Sequence, residues 1–179
     1  MKKEIETRFL DINKKEIVKM LILLGAVDKG EEKLEEIIFY DKNMKWKGKH
    51  RFVRLRKTKN KIELTYKSNQ KQTINSAKEI EFEVSDFDKC LEFLNKIGLK
   101  IVRRLEKYRH KFKFDKVTID IDKWPKIPAY IEIEGPSITS VKNICEKLNL
   151  DWNKRFDKDA RAVFMRYGYD IDNIKVISF

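Results

Sequence analysis

Apolar and charged residues alternate one for one along much of this chain, the period-two signature of strands with one buried and one polar face. Ile5, Thr7 and Phe9 alternate with Glu4, Glu6 and Arg8, so a first strand is expected over 3–10. The same pattern predicts strands at 33–41, 51–57, 61–67 and 77–85, and again at 101–114, 117–123 and 129–134. Helical spacing appears at four places. Asn13 caps a helix over 14–24 that turns Ile17, Met20, Leu21 and Leu24 inward and stops at Gly25. Asp86 opens a second, with Phe87, Cys90, Leu91 and Leu94 on its buried side and Gly98 at its end. Two more are expected at 138–148 after Ser137 and at 158–167 after Asp157. Many strands joined by short turns, with few helices, argue an antiparallel sheet or barrel rather than a parallel sheet.

The 179 residues contain 6 Gly and 3 Pro, and no linker, repeat or low-complexity run divides them, so a single domain over 1–179 is expected. Composition changes the picture in one respect: 39% of the residues are charged, far above the usual quarter. Lys and Arg number 41 against 29 Asp and Glu, a net charge of +12, which points to an anionic partner. Nucleic acid, acidic lipid and phosphorylated small molecules all qualify. Cys90 and Cys145 lack metal-ligand spacing and make no disulfide framework, so a reducing cytoplasm is expected. The charged N-terminus has no apolar signal region and no run approaches ~18 apolar residues, which predicts a soluble protein without a membrane span.

Because residues i and i+2 of a strand share a face, the charged faces can be read off directly. Glu4, Glu6 and Arg8 share one; Arg54 and Arg56, then Thr65 and Lys67, then Glu79, Glu81 and Glu83 share others. Lys107 pairs with Arg109, Asp120 with Asp122 and Glu132 with Glu134. Any half-exposed antiparallel sheet alternates in this way. A solvated face normally mixes in Ser, Thr, Asn and Gln, whereas these faces segregate by sign. Paired carboxylates suit a hard cation such as Mg²⁺, and Arg-x-Arg or Lys-x-Arg pairs suit phosphate through forked, charge-assisted donors. The two histidines, His50 and His110, lie in basic stretches and are expected to have no direct role. The turn 44–50 around Trp46 reads as solvated, and Trp124-Pro125-Lys126-Ile127-Pro128 as a stiff connection that aims Glu132 and Glu134.

Glu4-Ile5-Glu6-Thr7-Arg8 resembles the opening Glu-x-Glu-x-Lys signature of the CYTH family, the triphosphate tunnel metalloenzymes. The elements that follow keep the family's order: Arg54-Leu55-Arg56, Leu64-Thr65-Tyr66-Lys67, Glu79-Ile80-Glu81, Lys107-Tyr108-Arg109, Asp122 and Glu132-Ile133-Glu134-Gly135. The resemblance implies an α+β, mainly antiparallel fold: an eight-stranded closed barrel, charged inside, with helices packed outside. It implies Mg²⁺ or Mn²⁺ held by Glu4, Glu6, Asp122, Glu132 and Glu134, and a phosphate chain held by Arg8, Arg54, Arg56, Lys67, Lys107 and Arg109. Glu81, Lys107 and Arg109 are the residues it assigns to catalysis. Arg8 stands where the family commonly has Lys, which keeps the charge and changes the donor geometry.

The opening run and the two basic elements look most like class IV adenylate cyclases, which form cyclic AMP and pyrophosphate from ATP. The C-terminal region lacks the Ser-Tyr element of that group. Hydrolysis of inorganic, thiamine or nucleoside triphosphate is therefore the alternative, and a non-catalytic polyphosphate or nucleic-acid binding module a third reading. The expected partner is ATP or another triphosphate rather than nucleic acid or membrane, and a homodimer is compatible with all of this. Crowded like charges are further expected to repel one another until a ligand neutralises them.

Overall fold

A computed structural model describes residues 2–3, 5–68, 74 and 78–179. The strands are β1 (Lys2–Lys3), β2 (Ile5–Phe9), β3 (Val27–Tyr40), β4 (Arg51–Lys57), β5 (Ile62–Ser68), β6 (Lys78–Glu83), β7 (Lys100–Phe114), β8 (Val117–Lys123), β9 (Tyr130–Gly135) and β10 (Val176–Ile177). The helices are α1 (Lys14–Leu23), α2 (Phe87–Lys96), α3 (Ile138–Lys147) and α4 (Ala160–Arg166). One sheet runs β1-β6-β5-β4-β3-β7-β8-β9-β2, antiparallel at every step, and β10 adds beside β7 in parallel.

The α+β, antiparallel-dominated class is as expected, but the closed eight-stranded barrel is corrected to a curled half-barrel, open rather than closed. The reason lies in the first expected strand. It is split into β1, whose residues 2–3 pair with β6 on one edge, and β2, whose residues 5–9 pair with β9 on the other, so among the described residues no stretch of that strand carries a ladder on both sides. Strand β3 is also longer than its alternation predicts. Its register against β7 shifts between Asp28 and Glu31, where Gly30 has φ +86° and its N–H donates to Asp28 Oδ1 at 2.7 Å. A bulge of this kind interrupts the side-chain pattern while the pairing continues.

Local capping fixes the helices. Asn13 Oδ1 accepts from the N–H of Lys15 at 3.1 Å, Asp86 from Lys89 at 2.9 Å, and Ser137 forms a reciprocal capping box with Ser140. Helix α4 starts two residues later than expected because its cap is Asp159, which accepts from Ala162 N at 3.0 Å. Asp157 instead accepts a hydrogen bond from Thr7 Oγ1 at 2.6 Å, tying the C-terminal region to β2.

The outer apolar face of β2, β8 and β9 packs Phe9, Ile119, Ile131 and Ile133 against Leu21 of α1 and Val141 and Ile144 of α3. A second cluster joins Ile37, Phe39 and Leu55 to Leu94 of α2. Each such fully buried side chain contributes about 1.5–3 kcal/mol relative to exposure. The third cluster is different, since Ile38, Leu105, Trp124 and Tyr130 share strand faces with charged site residues and meet Val163 and Phe164 of α4. Helix α4 therefore covers one end of the half-barrel's inner face, and only the other three helices fit the expected outside packing. Among the described residues no helix is long and apolar enough to cross a membrane.

Candidate functional site

The inner face gathers charged side chains from nearly every strand. At its floor Asp122, fully buried, accepts from Lys107 Nζ at 2.8 Å and from Arg109 Nε and Nη2 at 2.6 and 2.7 Å. Arg109 also reaches Asp120 at 2.6 Å and Glu132 at 3.4 Å. Arg8 bridges Glu6, at 3.1 Å, and Glu132, and its Nη1 donates to the carbonyl of Lys158 at 2.8 Å. On the facing strands Arg56 Nε pairs with Glu36 at 2.8 Å, Arg54 with Glu81 at 3.3 Å and Glu79 at 3.6 Å, and Lys67 with Glu6 and Glu79 at 3.6 Å each. Glu81 also accepts from the hydroxyl of Thr65 at 2.8 Å.

A cavity of about 130 Å³ opens onto this network. Of the sequence-predicted residues, Arg8, Arg54, Lys67, Lys107, Arg109, Asp122 and Glu132 line it directly. Glu6 and Arg56 stand behind them through ion pairs with Arg8, Lys67 and Glu36, and Glu81 through Arg54. Glu134 lies directly across from Glu6 in the β2–β9 register, beside the cavity rather than on its wall. Glu4 lies outside the described residues.

Burial and pairing set opposing demands on these groups. Burial by itself raises a carboxyl pKa, but Arg56 and Lys107 outweigh it at Glu36, Arg8 and Arg109 at Glu132, and Arg109 and Lys107 at Asp122, so all three are held below the usual carboxylate range. At Asp120 burial prevails over Arg109 and Lys111, and the pKa is raised. Burial and the neighbouring Arg109 lower Lys107, whose ammonium also sits 4.7 Å above the ring of Trp124. Like charges are thus interleaved with opposite ones, which corrects the expected mutual repulsion: removing one partner leaves a buried charge uncompensated.

Unmet hydrogen bonds concentrate here. Arg8 Nε, Arg54 Nε and Asp120 Oδ1 are buried without a partner among the described residues. A buried orphan donor or acceptor carries a desolvation cost of about 1–3 kcal/mol; Arg8 and Arg54 line the cavity, and Asp120 lies behind its wall. Asp120 lies directly across from Glu132, and Glu134 across from Glu6, so one stretch of sheet carries four carboxylates, Glu132 on the cavity wall and the other three behind or beside it. Such an oxygen-only donor set fits a hard divalent cation. Among the described residues no three metal-ligating side chains are already gathered around one point, because Arg8 and Arg109 sit between the acids.

Several lining residues escape the alternation rule. Glu36 follows Glu35 and precedes Ile37 and Ile38, a two-and-two run that assigns no face. Glu63 does not line the cavity; it stands behind Arg56 at 3.7 Å and follows the alternation of its strand with Thr65 and Lys67. Arg103, Arg161 and the pair His50–Asp159, 2.8 Å apart, depend on the C-terminal segment folding back, which no local signal predicts. The stiff connection behaves as expected: Trp124 and Ile127 are buried and the indole N–H donates to Tyr130 Oη at 3.0 Å. Trp46 is less solvated than expected, packing edge-on against Tyr66 at 5.9 Å.

Comparison with solved structures places this architecture among known ones. A protein from Pyrococcus horikoshii OT3 is similar at 24% identity and TM-score 0.75, over 87% of this chain and 96% of that one. A Vibrio parahaemolyticus protein provisionally named an adenylate cyclase is similar at 11% identity and TM-score 0.79, over 92% and 98%. A provisionally named adenylyl cyclase from Hippeastrum, whose dominant activity is that of a triphosphatase, is similar at 13% identity and TM-score 0.62, over 94% and 96%. Likeness at these identities speaks to the fold. No curated protein matches the sequence. The family model for the CYTH domain matches residues 2–162, the span that holds every site residue described above, and the chain belongs to the CYTH family.

Proposed function

We propose that this protein is a divalent-metal-dependent enzyme acting on a triphosphate, of the class IV adenylate cyclase type, which converts ATP to cyclic AMP and pyrophosphate. The observation that carries the triphosphate reading is the convergence of Arg8, Arg54, Lys67, Lys107 and Arg109, from four strands, on one cavity. A single phosphate engages one or two such groups; a chain of phosphates matches the spread. Glu6, Asp120, Glu132 and Glu134, with Glu4 and Asp122 as further acids, would hold Mg²⁺ or Mn²⁺. When bound, the ion neutralises charge on the phosphate oxygens.

In the cyclase reaction the ribose 3′-oxygen bonds to the α-phosphorus as the α–β bridging P–O bond breaks, and pyrophosphate and one proton leave. Lys107 and Arg109 orient the chain and offset its developing charge, and Glu81 acts through Arg54 and Thr65, whose positions it fixes. Ile38, Tyr40, Phe52 and Leu105 give the cavity an apolar side, which favours an organic triphosphate carrying a base. Hydrolysis at the terminal phosphorus is the second reading, favoured by the dominant triphosphatase activity of the Hippeastrum protein. A nucleic-acid binding module fits less well, since interleaved carboxylates repel a phosphate backbone.

Glu6→Gln and Glu134→Gln preserve shape and remove a charge. Each is expected to raise the metal concentration for half-maximal turnover by roughly tenfold, the equivalent of about 1.4 kcal/mol, while the fold survives; Glu6→Gln should also melt below the parent, since it removes a partner of buried Arg8. Unchanged metal dependence in both variants would move the metal site elsewhere.

A further inference from the structure

Strand parity puts Phe52, Arg54 and Arg56 on the inner face of β4 and assigns Arg51 to the outward set with Val53 and Leu55. Arg51 nevertheless lines the cavity. It is the first residue of β4, and the chain enters it through His50 in a left-handed conformation, φ +49°. His50 is pinned in turn: its Nδ1 lies 2.8 Å from Asp159 Oδ2, while Asp159 Oδ1 caps α4. A contact between residues 109 apart in sequence therefore holds the entry to the strand and turns Arg51 inward.

Arg51 differs from the other cations of the wall. Arg8, Arg54, Lys67, Arg103, Lys107, Arg109 and Arg161 each have a carboxylate within 4.0 Å, whereas among the described residues Arg51 makes no ion pair. Its Nε is buried and without an acceptor among them. A guanidinium facing a cavity, neither paired nor fully hydrated, is poised for an anion that the fold itself does not supply. Arg51 is partly exposed, as is its neighbour His50, whereas Lys107 is buried, so Arg51 stands nearer the rim of the cavity and Lys107 at its floor.

We propose that Arg51 is a substrate-binding residue that takes the rim end of the phosphate chain, with His50 and Asp159 as positioning residues, and so sets the chain length the site prefers. The inference rests on the triphosphate reading and deepens it: ligands long enough to reach from Lys107 to the rim gain a contact that shorter ones do not make.

Calorimetric titration of the full chain with tripolyphosphate and with pyrophosphate, both with Mg²⁺, tests this. Arg51→Ala should weaken tripolyphosphate by roughly ten- to a hundredfold, the range of one charge-assisted contact, and pyrophosphate by less than about threefold. Arg51→Lys, which keeps the charge, should recover most of the loss, and Arg51→Gln, which keeps the stem, should not. His50→Ala should impose the same length-dependent loss, and adding Arg51→Ala to it should cost little more. Equal losses for the two ligands, or none, in a variant that melts like the parent overturns the inference alone. Full additivity of His50→Ala and Arg51→Ala overturns the positioning role. A parent protein that binds neither ligand overturns the triphosphate reading and this inference with it.

Discussion

Arg109 shows how much one side chain can hold. It is 9% exposed and shared between Asp120, Asp122 and Glu132, so its removal leaves two buried carboxylates and the partly buried Glu132 competing for Lys107 and Arg8. Arg109→Ala is expected to cost about 3 kcal/mol of stability or more, the range for breaking a buried pair, and to weaken tripolyphosphate roughly ten- to a hundredfold. Lys142→Ala, whose exposed partner Glu146 lies 3.9 Å away, should change neither. Thermal unfolding and calorimetry on the two variants check this; an Arg109→Ala protein as stable as the parent would mean that the cation cluster repels itself. At this scale alternation made Arg54, Arg56, Lys107, Arg109, Glu132 and Glu134 legible, because a strand residue's face depends only on its immediate neighbours. It could not reveal that Arg54, Arg56, Lys107 and Arg109 each already have a carboxylate partner, since partnership is a property of register between strands.

Elements were legible wherever pattern and pairing coincide. Strands β4 and β8 begin and end where the alternation does, and α1, α2 and α3 begin where Asn13, Asp86 and Ser137 cap them. The bulge at Gly30, the split of the first strand and the late start of α4 were not, because each is decided by a distant partner. Gly135 ties two of these elements together. It ends β9 one residue after Glu134, and a Cβ there would lie 2.9 Å from Ser140 Oγ and 3.1 Å from Val141 Cγ2 of α3. Gly135→Ala should therefore push α3 off the sheet and cost about 1–3 kcal/mol, read as a melting temperature lower by roughly 2–4 °C per kcal/mol. A variant that melts with the parent would show that α3 yields without loss and that the close approach is not a constraint.

Taken as a whole, the molecule turns a part of its charge, interleaved by sign, onto the inner face of a curled sheet around a cavity, while most of the charged residues, 39% of the chain, stay at least partly exposed. The inward faces were legible from the sequence; the open edge was not, since closure depends on whether the same residues of the first strand pair with both β6 and β9, a matter of register between distant strands. The excess of +12 over neutrality is consistent with an anionic substrate drawn toward that cavity. The account stands or falls on turnover. Incubation of the protein with ATP and Mg²⁺ or Mn²⁺, with products resolved and a chelated control, is expected to give cyclic AMP and pyrophosphate only when the metal is present. ADP and phosphate with the same metal requirement would assign the site to hydrolysis instead, and no turnover of ATP or tripolyphosphate with either metal would contradict the claim that this cavity is a triphosphate enzyme's active site.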